Sequence, residues 1–351
     1  MATFNGKNIS VEIYGESHQE KIGAKVLGAP KFSFNEDKLM EFLNRRKASN
    51  SVYSTPRKED DNPIFKNVKD NTINGEFSVD IYNYNIKSND YDELFGKPRP
   101  SHADYSSYLK EGNLNYKGGG RFSGRLTAPL CVVGGIFKQF LESQGIFICA
   151  YISQIGKIKG KSYLTEKITK EEIISVKDFP CLSNGEEMLD CIAKARSEGD
   201  SVGGVIECIV YNMKKGVGNN LFEGLEGKIS SLIYSVPAVK GVEFGSGFSI
   251  CEKFGSEAND GLIFNDGKVE FLSNNSGGIN GGISNGEEIT LRVAIKPTPS
   301  ISKPQKTVDL VKGESVEIEI KGRHDACIVP RAVPCIESAV AIAIIDEILG
   351  E

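Results

Sequence analysis

Strand-like and helix-like segments follow one another in this chain without the regular alternation that builds a doubly wound parallel sheet. That irregular order is the strongest limit on its fold. Alternating apolar positions predict strands at residues 10–14, 77–81, 146–155, 205–211, 242–248, 289–295 and 316–320. Helical spacing predicts helices at 36–47, 102–110, 126–141, 186–196, 221–234 and 332–349. Ser101 is placed to cap the helix at 102, with Asp104 in its first turn, and Ser123 precedes the long apolar helix at 126. A mixture that lacks this regular alternation fits an α+β fold with antiparallel sheets better than a doubly wound one. No proline-rich or low-complexity linker divides the chain, so one domain over residues 1–351 is expected.

The net charge of −5 argues against a nucleic-acid or membrane surface. Within this acidic chain arginine is used sparingly: of 42 basic residues only ten are arginine, and most of those cluster in polar or glycine-rich stretches. Arg45, Arg46 and Arg57 form one cluster, Arg99 stands alone, Arg121 and Arg125 form another, and Arg323 and Arg331 a third. A planar guanidinium grips carboxylate or phosphate with two donors, so these clusters point to a small polyanion. Arg196 and Arg292 fit ordinary structural ion pairs better. The cysteines are scattered, mostly in apolar runs, with no C-x-x-C pair, which suits reduced core thiols and no metal site. The N-terminus lacks the apolar core of a signal peptide, and the apolar run 339–349 is too short for a bilayer and carries Asp346 and Glu347. A cytoplasmic protein is expected.

Each of the three histidines lies in a polar cluster: Gly15-Glu16-Ser17-His18, Arg99-Pro100-Ser101-His102-Ala103-Asp104, and Gly322-Arg323-His324-Asp325. Such placement suits proton transfer or anion handling better than packing. Residues 118–125, Gly-Gly-Gly-Arg-Phe-Ser-Gly-Arg, run into a predicted helix start and form a plausible anion cradle, although no P-loop lysine follows. Residues 275–286 repeat Gly-Gly-Ile and suit either close approach to a flat ligand or another chain, or a plain turn. Lys296-Pro297-Thr298-Pro299-Ser300 offers an ammonium and two hydroxyls to a phosphate, while residues 200–204 read as a tight bend before a strand.

These motifs, in this order, resemble chorismate synthase. The matching stretches are GESH at 15–18, RPSHAD at 99–104, GGGRFSGR at 118–125, GDSVGG at 199–204 and VPAVKGVEFGSGF at 236–248. They continue with GGINGGISNG at 277–286, KPTPSI at 296–301 and GRHDACIVPRAVP at 322–334. The resemblance implies a βαβ sandwich, a helical core between two antiparallel sheets, assembled as a homotetramer. It implies 5-enolpyruvylshikimate 3-phosphate as substrate and reduced FMN as cofactor, with 1,4-elimination of phosphate giving chorismate. NADPH as reductant of the flavin, or a separate reductase, is left open.

By motif, His18, His102 and Asp325 would be catalytic. Arg121, Phe122, Ser123, Ala238, Gly281, Lys296, Pro297, Thr298, Pro299, Ser300 and Arg323 would hold the flavin. Ser17, Arg46, Arg57, Arg99 and Arg125 would face the substrate. The chain departs from the family pattern at Gln19, at Lys47-Ala48-Ser49, and at Val52, Leu126, Leu130 and Ala326, with Arg57 near Val52 as a replacement guanidinium.

Two rival readings are distinguishable. A phosphate-ester hydrolase using Ser17, His18 and Asp325 would release phosphate without flavin, but adjacent Ser17 and His18 make a poor nucleophile–base pair and no G-x-S-x-G elbow is present. A binding-only protein, suggested by Val52 and Leu126, would take up flavin without releasing phosphate.

Overall fold

The structure, a computed structural model, describes residues 1–47, 60–84, 94–112, 114, 119–320 and 324–350. Strands β1 (Ala2–Asn5), β2 (Ser10–Gly15) and β3 (Lys21–Ser33) lead into helix α1 (Glu36–Asn44), followed by β4 (Ile64–Lys66) and β5 (Thr72–Tyr82). The five strands form one antiparallel sheet in the order β1-β2-β3-β5-β4. Helix α2 (Asp104–Glu111) and the long helix α3 (Thr127–Ser143) come next, then β6 (Phe147–Ile155) and β7 (Ile158–Lys159). Helices α4 (Lys170–Ser175) and α5 (Gly185–Ser197) precede β8 (Gly204–Tyr211), α6 (Leu225–Ser235), β9 (Val239–Phe244) and α7 (Gly255–Ala258). Two hairpins follow, β10 (Leu262–Asn265) with β11 (Lys268–Phe271), and β12 (Ile279–Asn280) with β13 (Ile283–Ser284). Strand β14 (Ile289–Ile295), the hairpin of β15 (Gln305–Asp309) and β16 (Glu314–Ile318), and helix α8 (Val329–Ile348) complete the chain. The second five-stranded sheet has the order β7-β6-β8-β14-β9 and is also antiparallel.

Between the sheets lies the helical layer. Helix α3 packs on β3 and β5 of the first sheet and on α8, which in turn packs on β6 and β8 of the second. The sequence suits this position, because α8 is apolar all round and every residue in it but Arg331 is buried. Its three other charges have partners. Glu337 accepts from Arg45, Asp346 accepts the backbone N–H groups of Lys7, Asn8 and Ile9, and Glu347 pairs with Lys228. Close contact between the helices rests on Gly134, where a Cβ would lie 2.2 Å from Ser338 Cβ. The fold is an α+β sandwich of two antiparallel sheets around helices, as the motif resemblance implies.

Several local expectations need correction. Strand β3, thirteen residues long, was not expected: Ile22, Ala24 and Val26 alternate in its first half, and its register with β5 shifts on either side of Ala29. Ser101 does not cap α2: it has φ +58°, the cap position falls on Ala103 without a side-chain bond, and Asp104 binds Arg99 and His102 instead. The predicted strand at 242–248 ends at Phe244, after which 247–252 turn as a short 3-10 helix. The helix expected from 221 begins at Leu225.

Candidate active site

Both central helices begin at one cavity of about 590 Å³. Thr127 at the start of α3 lines it, as do Ile328, Arg331, Ala332 and Cys335 at the start of α8. Neither helix has a carboxylate in its first turn, so the positive ends of both dipoles act on this space unneutralised. Among the described residues Arg46, Lys47, Arg99, Arg121, Arg125, Lys296 and Arg331 line it, seven cations against the lining carboxylates of Asp61 and Asp325, with Asp104 and Glu111 pairing Arg99 and Arg121 outside the lining. In a chain of net charge −5 this is a positive pocket, built for an anion. Its size lies within the range of about 300–1,000 Å³ usual for small-molecule sites.

The glycine-rich run 119–126 reaches α3 through two 3-10 turns, with Ser123 Oγ accepting the Arg125 N–H at 3.2 Å. This turn geometry exposes Arg121, Phe122, Ser123, Gly124 and Arg125 on the cavity wall. Arg121 stacks over the Phe122 ring, 4.9 Å from its centroid, and pairs with Glu111. Arg125 is buried and fixed from three sides. Its Nε donates to Asn83 Oδ1 at 2.8 Å, its NH1 to Asp61, and its NH2 reaches the Tyr82 carbonyl at 3.5 Å. Arg46, also buried, donates to the other oxygen of Asp61 and to Thr127 Oγ1 at 3.3 Å. Burial would raise the Asp61 pKa, but the Arg46 and Arg125 charges more than offset it and hold this carboxylate below its usual range.

Arg99 forks onto Asp104, Nε to Oδ2 at 2.7 Å and NH2 to Oδ1 at 2.8 Å, and His102 Nδ1 meets the same carboxylate at 2.5 Å. Burial opposes ionisation of Asp104, yet these bonds from Arg99 and His102 bring its pKa down to about 2. His102 Nδ1 stands between Asp104, which only accepts, and Arg99 NH2, a donor 3.1 Å away, and a proton on Nδ1 satisfies the shorter contact with Asp104. Asp325 accepts from Arg331 NH1 at 2.6 Å, while Arg331 Nε donates to the Arg46 carbonyl at 2.9 Å. The start of α8 is thereby tied to the end of α1.

After β14, Thr298, Pro299 and Ser300 line the cavity together with Lys296, whose backbone N–H bonds the Ala238 carbonyl at 2.9 Å. Burial, then the nearby Lys240, lowers the Lys296 pKa. Ala238 has φ +74°, a strained conformation for a residue with a Cβ. Thr298 Oγ1 is buried with no hydrogen-bond partner among the described residues. A buried hydroxyl in that state costs free energy unless a ligand satisfies it.

Of the residues expected from sequence, the cavity gathers Arg46, Arg99, His102, Arg121, Phe122, Ser123, Arg125, Ala238, Lys296, Thr298, Pro299, Ser300 and Asp325. Arg57 and Arg323 lie outside the described residues. Ser17 and His18 stand behind the wall rather than in it: Ser17 N bonds the Gly120 carbonyl at 3.3 Å, and Asn83 Nδ2 holds the Gln19 carbonyl at 2.8 Å. Contrary to the sequence argument, Ser17 Oγ does meet His18 Nδ1, at 3.0 Å, but Ser17 is 2% exposed. Pro297 is exposed beside the lining residues. Gly281 is placed at the tip of the β12–β13 hairpin and does not line the cavity. Gly281 and Gly282 both have positive φ there, which a two-residue type I′ turn demands. Sequence reasoning missed Asp61, Asn83 and Cys335, which carry no local motif. Arg331 was signalled by the arginine clustering. Arg292 is structural as expected, paired from β14 to Glu243 on the neighbouring β9 at 2.8 Å.

Comparison with known proteins agrees along the whole chain. The family model described as chorismate synthase matches residues 9–349. A chorismate synthase of Pyrococcus abyssi is 42% identical over 350 residues, covering 98% of this chain and 97% of that protein. One of Methanocaldococcus jannaschii is 43% identical over 357 residues, covering 97% and 94%. A solved structure titled Crystal Structure of Chorismate Synthase superposes with a TM-score of 0.73 at 25% identity, covering 99% of this chain and 93% of that one. With the fold, the motif order and these relatives in agreement, the chain belongs to the chorismate synthase family.

Proposed function

We infer that this chain is the lyase of the last common step of the shikimate pathway, converting 5-enolpyruvylshikimate 3-phosphate to chorismate by 1,4-elimination of phosphate. The observation that carries the reading is the cavity's charge: seven cations and two helix N-termini converge on one small space. The substrate's phosphate and two carboxylates match that field. Arg46, Arg99 and Arg125 would hold them, with Arg57 and Ser17 as further contacts. His102 Nε2 would give a proton to the departing phosphate while Asp104 steadies the ring. Asp325, oriented by Arg331, would take up the ring proton. His18 would act from the loop bonded to Gly120.

The donor set also fits reduced FMN. Thr298 Oγ1 is a buried hydroxyl in want of a partner, Lys296, Ser300 and Arg121 suit a phosphate, and Phe122 offers a partly exposed aromatic face. Ser123, Ala238, Pro297, Pro299 and Arg323 would complete that wall, and Gly281 would join it only by contacts beyond the cavity described above. When bound, the cofactor supplies transient electron density without net change in oxidation level. The protein's own part is to hold the anions, exclude water and place the Asp325 and His102 protons.

The chain is read as one domain, supported by a single buried cluster that takes in both sheets and the central helices. A homotetramer is supported by exposed apolar side chains at Leu221, Phe222, Phe248, Phe254 and Phe264. A cytoplasmic setting is supported by eight free cysteines. Among the described residues no helix is long and apolar enough to cross a membrane. NADPH is proposed as a reductant of the flavin.

Anaerobic phosphate release from the substrate with reduced FMN, with and without NADPH, tests the whole reading. One reduction should support many turnovers. Equal activity with oxidised FMN, or one reductant consumed per product, would overturn it.

A further inference from the structure

Cys335 Sγ on α8 lies 3.7 Å from Cys131 Sγ on α3, and both thiols are free. Only Cys335 lines the cavity. The pair sits about one helical turn nearer the cavity than the Gly134–Ser338 contact, where no side chain fits between the two helices. The sulfurs of a disulfide stand about 2.05 Å apart, so these two would have to close by under about 2 Å. The two sulfurs have different surroundings. The Cys335 thiol is drawn down, first by the hydrogen bond from Cys131, against burial, and then by Arg46, Thr127 and Arg331. The Cys131 thiol is pushed up by burial and by its neighbour. A thiol on a cavity wall, its Sγ donating to the Arg331 carbonyl at 3.4 Å and a second thiol close behind it, is the arrangement of a reactive cysteine with a resolving cysteine.

We propose that Cys335 and Cys131 form a modification site for small hydroperoxides, in which Cys335 is the attacking sulfur and Cys131 resolves it to a disulfide joining α3 to α8. Hydrogen peroxide is small enough to enter the cavity. Cys335 gives up its proton and its sulfur attacks one peroxide oxygen: the S–O bond forms, the O–O bond breaks, and the hydroxide that leaves takes that proton to become water. Cys131 sulfur then displaces the hydroxyl of the Cys335 sulfenic acid. The S–S bond forms, and the hydroxyl leaves with the Cys131 proton as a second water. Two thiols lose two electrons and the peroxide gains them, and a dithiol reductant reverses the change. The chemistry requires neither substrate nor flavin, so it stands apart from the reading of the lyase site.

The test is to titrate the full chain with hydrogen peroxide, alkylate the remaining thiols and map the peptides by mass. The expected result is a Cys131–Cys335 cross-link forming roughly tenfold or more faster than oxidation of the exposed Cys251, and lost on treatment with dithiothreitol. In Cys131→Ala the sulfenic acid should persist on Cys335 and be trapped by dimedone, whereas in Cys335→Ala Cys131 should stay alkylatable. Oxidation of Cys251 ahead of the pair, no dimedone adduct in Cys131→Ala, or undiminished oxidation of Cys131 in Cys335→Ala would each overturn the proposal.

Discussion

Arg45 forks onto Glu337 inside the helical layer, whereas Arg46, the next residue, turns to Asp61 in the cavity wall. In the first cluster Glu337, 1% exposed, accepts from both nitrogens of Arg45 at 2.9 and 2.8 Å and from the Ala150 N–H at 2.9 Å. Lys138 lies 3.9 Å away and is itself matched by Glu142 at 3.1 Å. Two cations therefore meet two carboxylates, and the charge closes on itself. In the second cluster Arg46 and Arg125 share the single carboxylate of Asp61, leaving one positive charge in excess. A balanced cluster joins α1, α3, α8 and β6 and serves stability. The unbalanced one has charge left for a ligand. Clustering of arginines in sequence does not separate the two.

The largest expected effect lies on the cavity side. Asp325→Asn keeps the shape and the contact with Arg331 but cannot take a proton, so turnover should fall by about 10²–10⁴ while FMN and substrate still bind. Near-normal turnover would make Asp325 a partner of Arg331 only. On the structural side, Arg45→Ala leaves Glu337 buried with the Ala150 N–H and, 3.9 Å away, the Lys138 ammonium. Because the Arg45 side chain is 37% exposed, the loss of stability is discounted to about 2–3 kcal/mol, read by denaturant unfolding. Folded Arg45→Ala should retain its substrate affinity, and a large fall in affinity would erase the contrast between the clusters.

Arg125→Lys should cost substrate binding about tenfold or more, and FMN binding less, because one ammonium cannot replace a planar fork. Calorimetry showing unchanged substrate affinity would take Arg125 out of the site. The smallest effect at neutral pH comes from Asp104. Its pKa is depressed to about 2, so its stabilising contribution is complete above the unfolded value of about 3.9 and is lost as pH falls toward 2. Denaturant midpoints should be insensitive to this group from pH 7 to about 5 and decline below about 4. Asp104→Asn should flatten part of that decline, and an unchanged slope would show that its pairing with Arg99 contributes nothing.

Much of the local structure was legible. Strand β14 was expected at its observed bounds, and α3, α5 and α8 within a few residues, because apolar periodicity is a local record of which face is buried. Motif order named most of the cavity wall, since Arg121 to Arg125 and Lys296 to Ser300 are contiguous stretches. Reading failed where backbone geometry overrides propensity: at the register shifts of β3, at Ser101 with its positive φ, and at Gly281, whose turn requirement looks like a ligand-binding glycine in sequence.

Residue chemistry and period are properties of short windows, and from them came the α+β class, the anionic ligand and the selective use of arginine. Pairing across the fold is not such a property. Asp61 belongs to an acidic run, Glu59-Asp60-Asp61, that reads as solvated surface, yet it closes between two buried guanidiniums. Cys131 and Cys335 stand 204 positions apart with no spacing to link them, yet Gly134 and Ser338 bring their helices into contact. Which charge is balanced and which is left over, and which thiol faces the cavity, depends on how two sheets close over α3 and α8. That packing sums contacts between distant segments, and no local pattern encodes it.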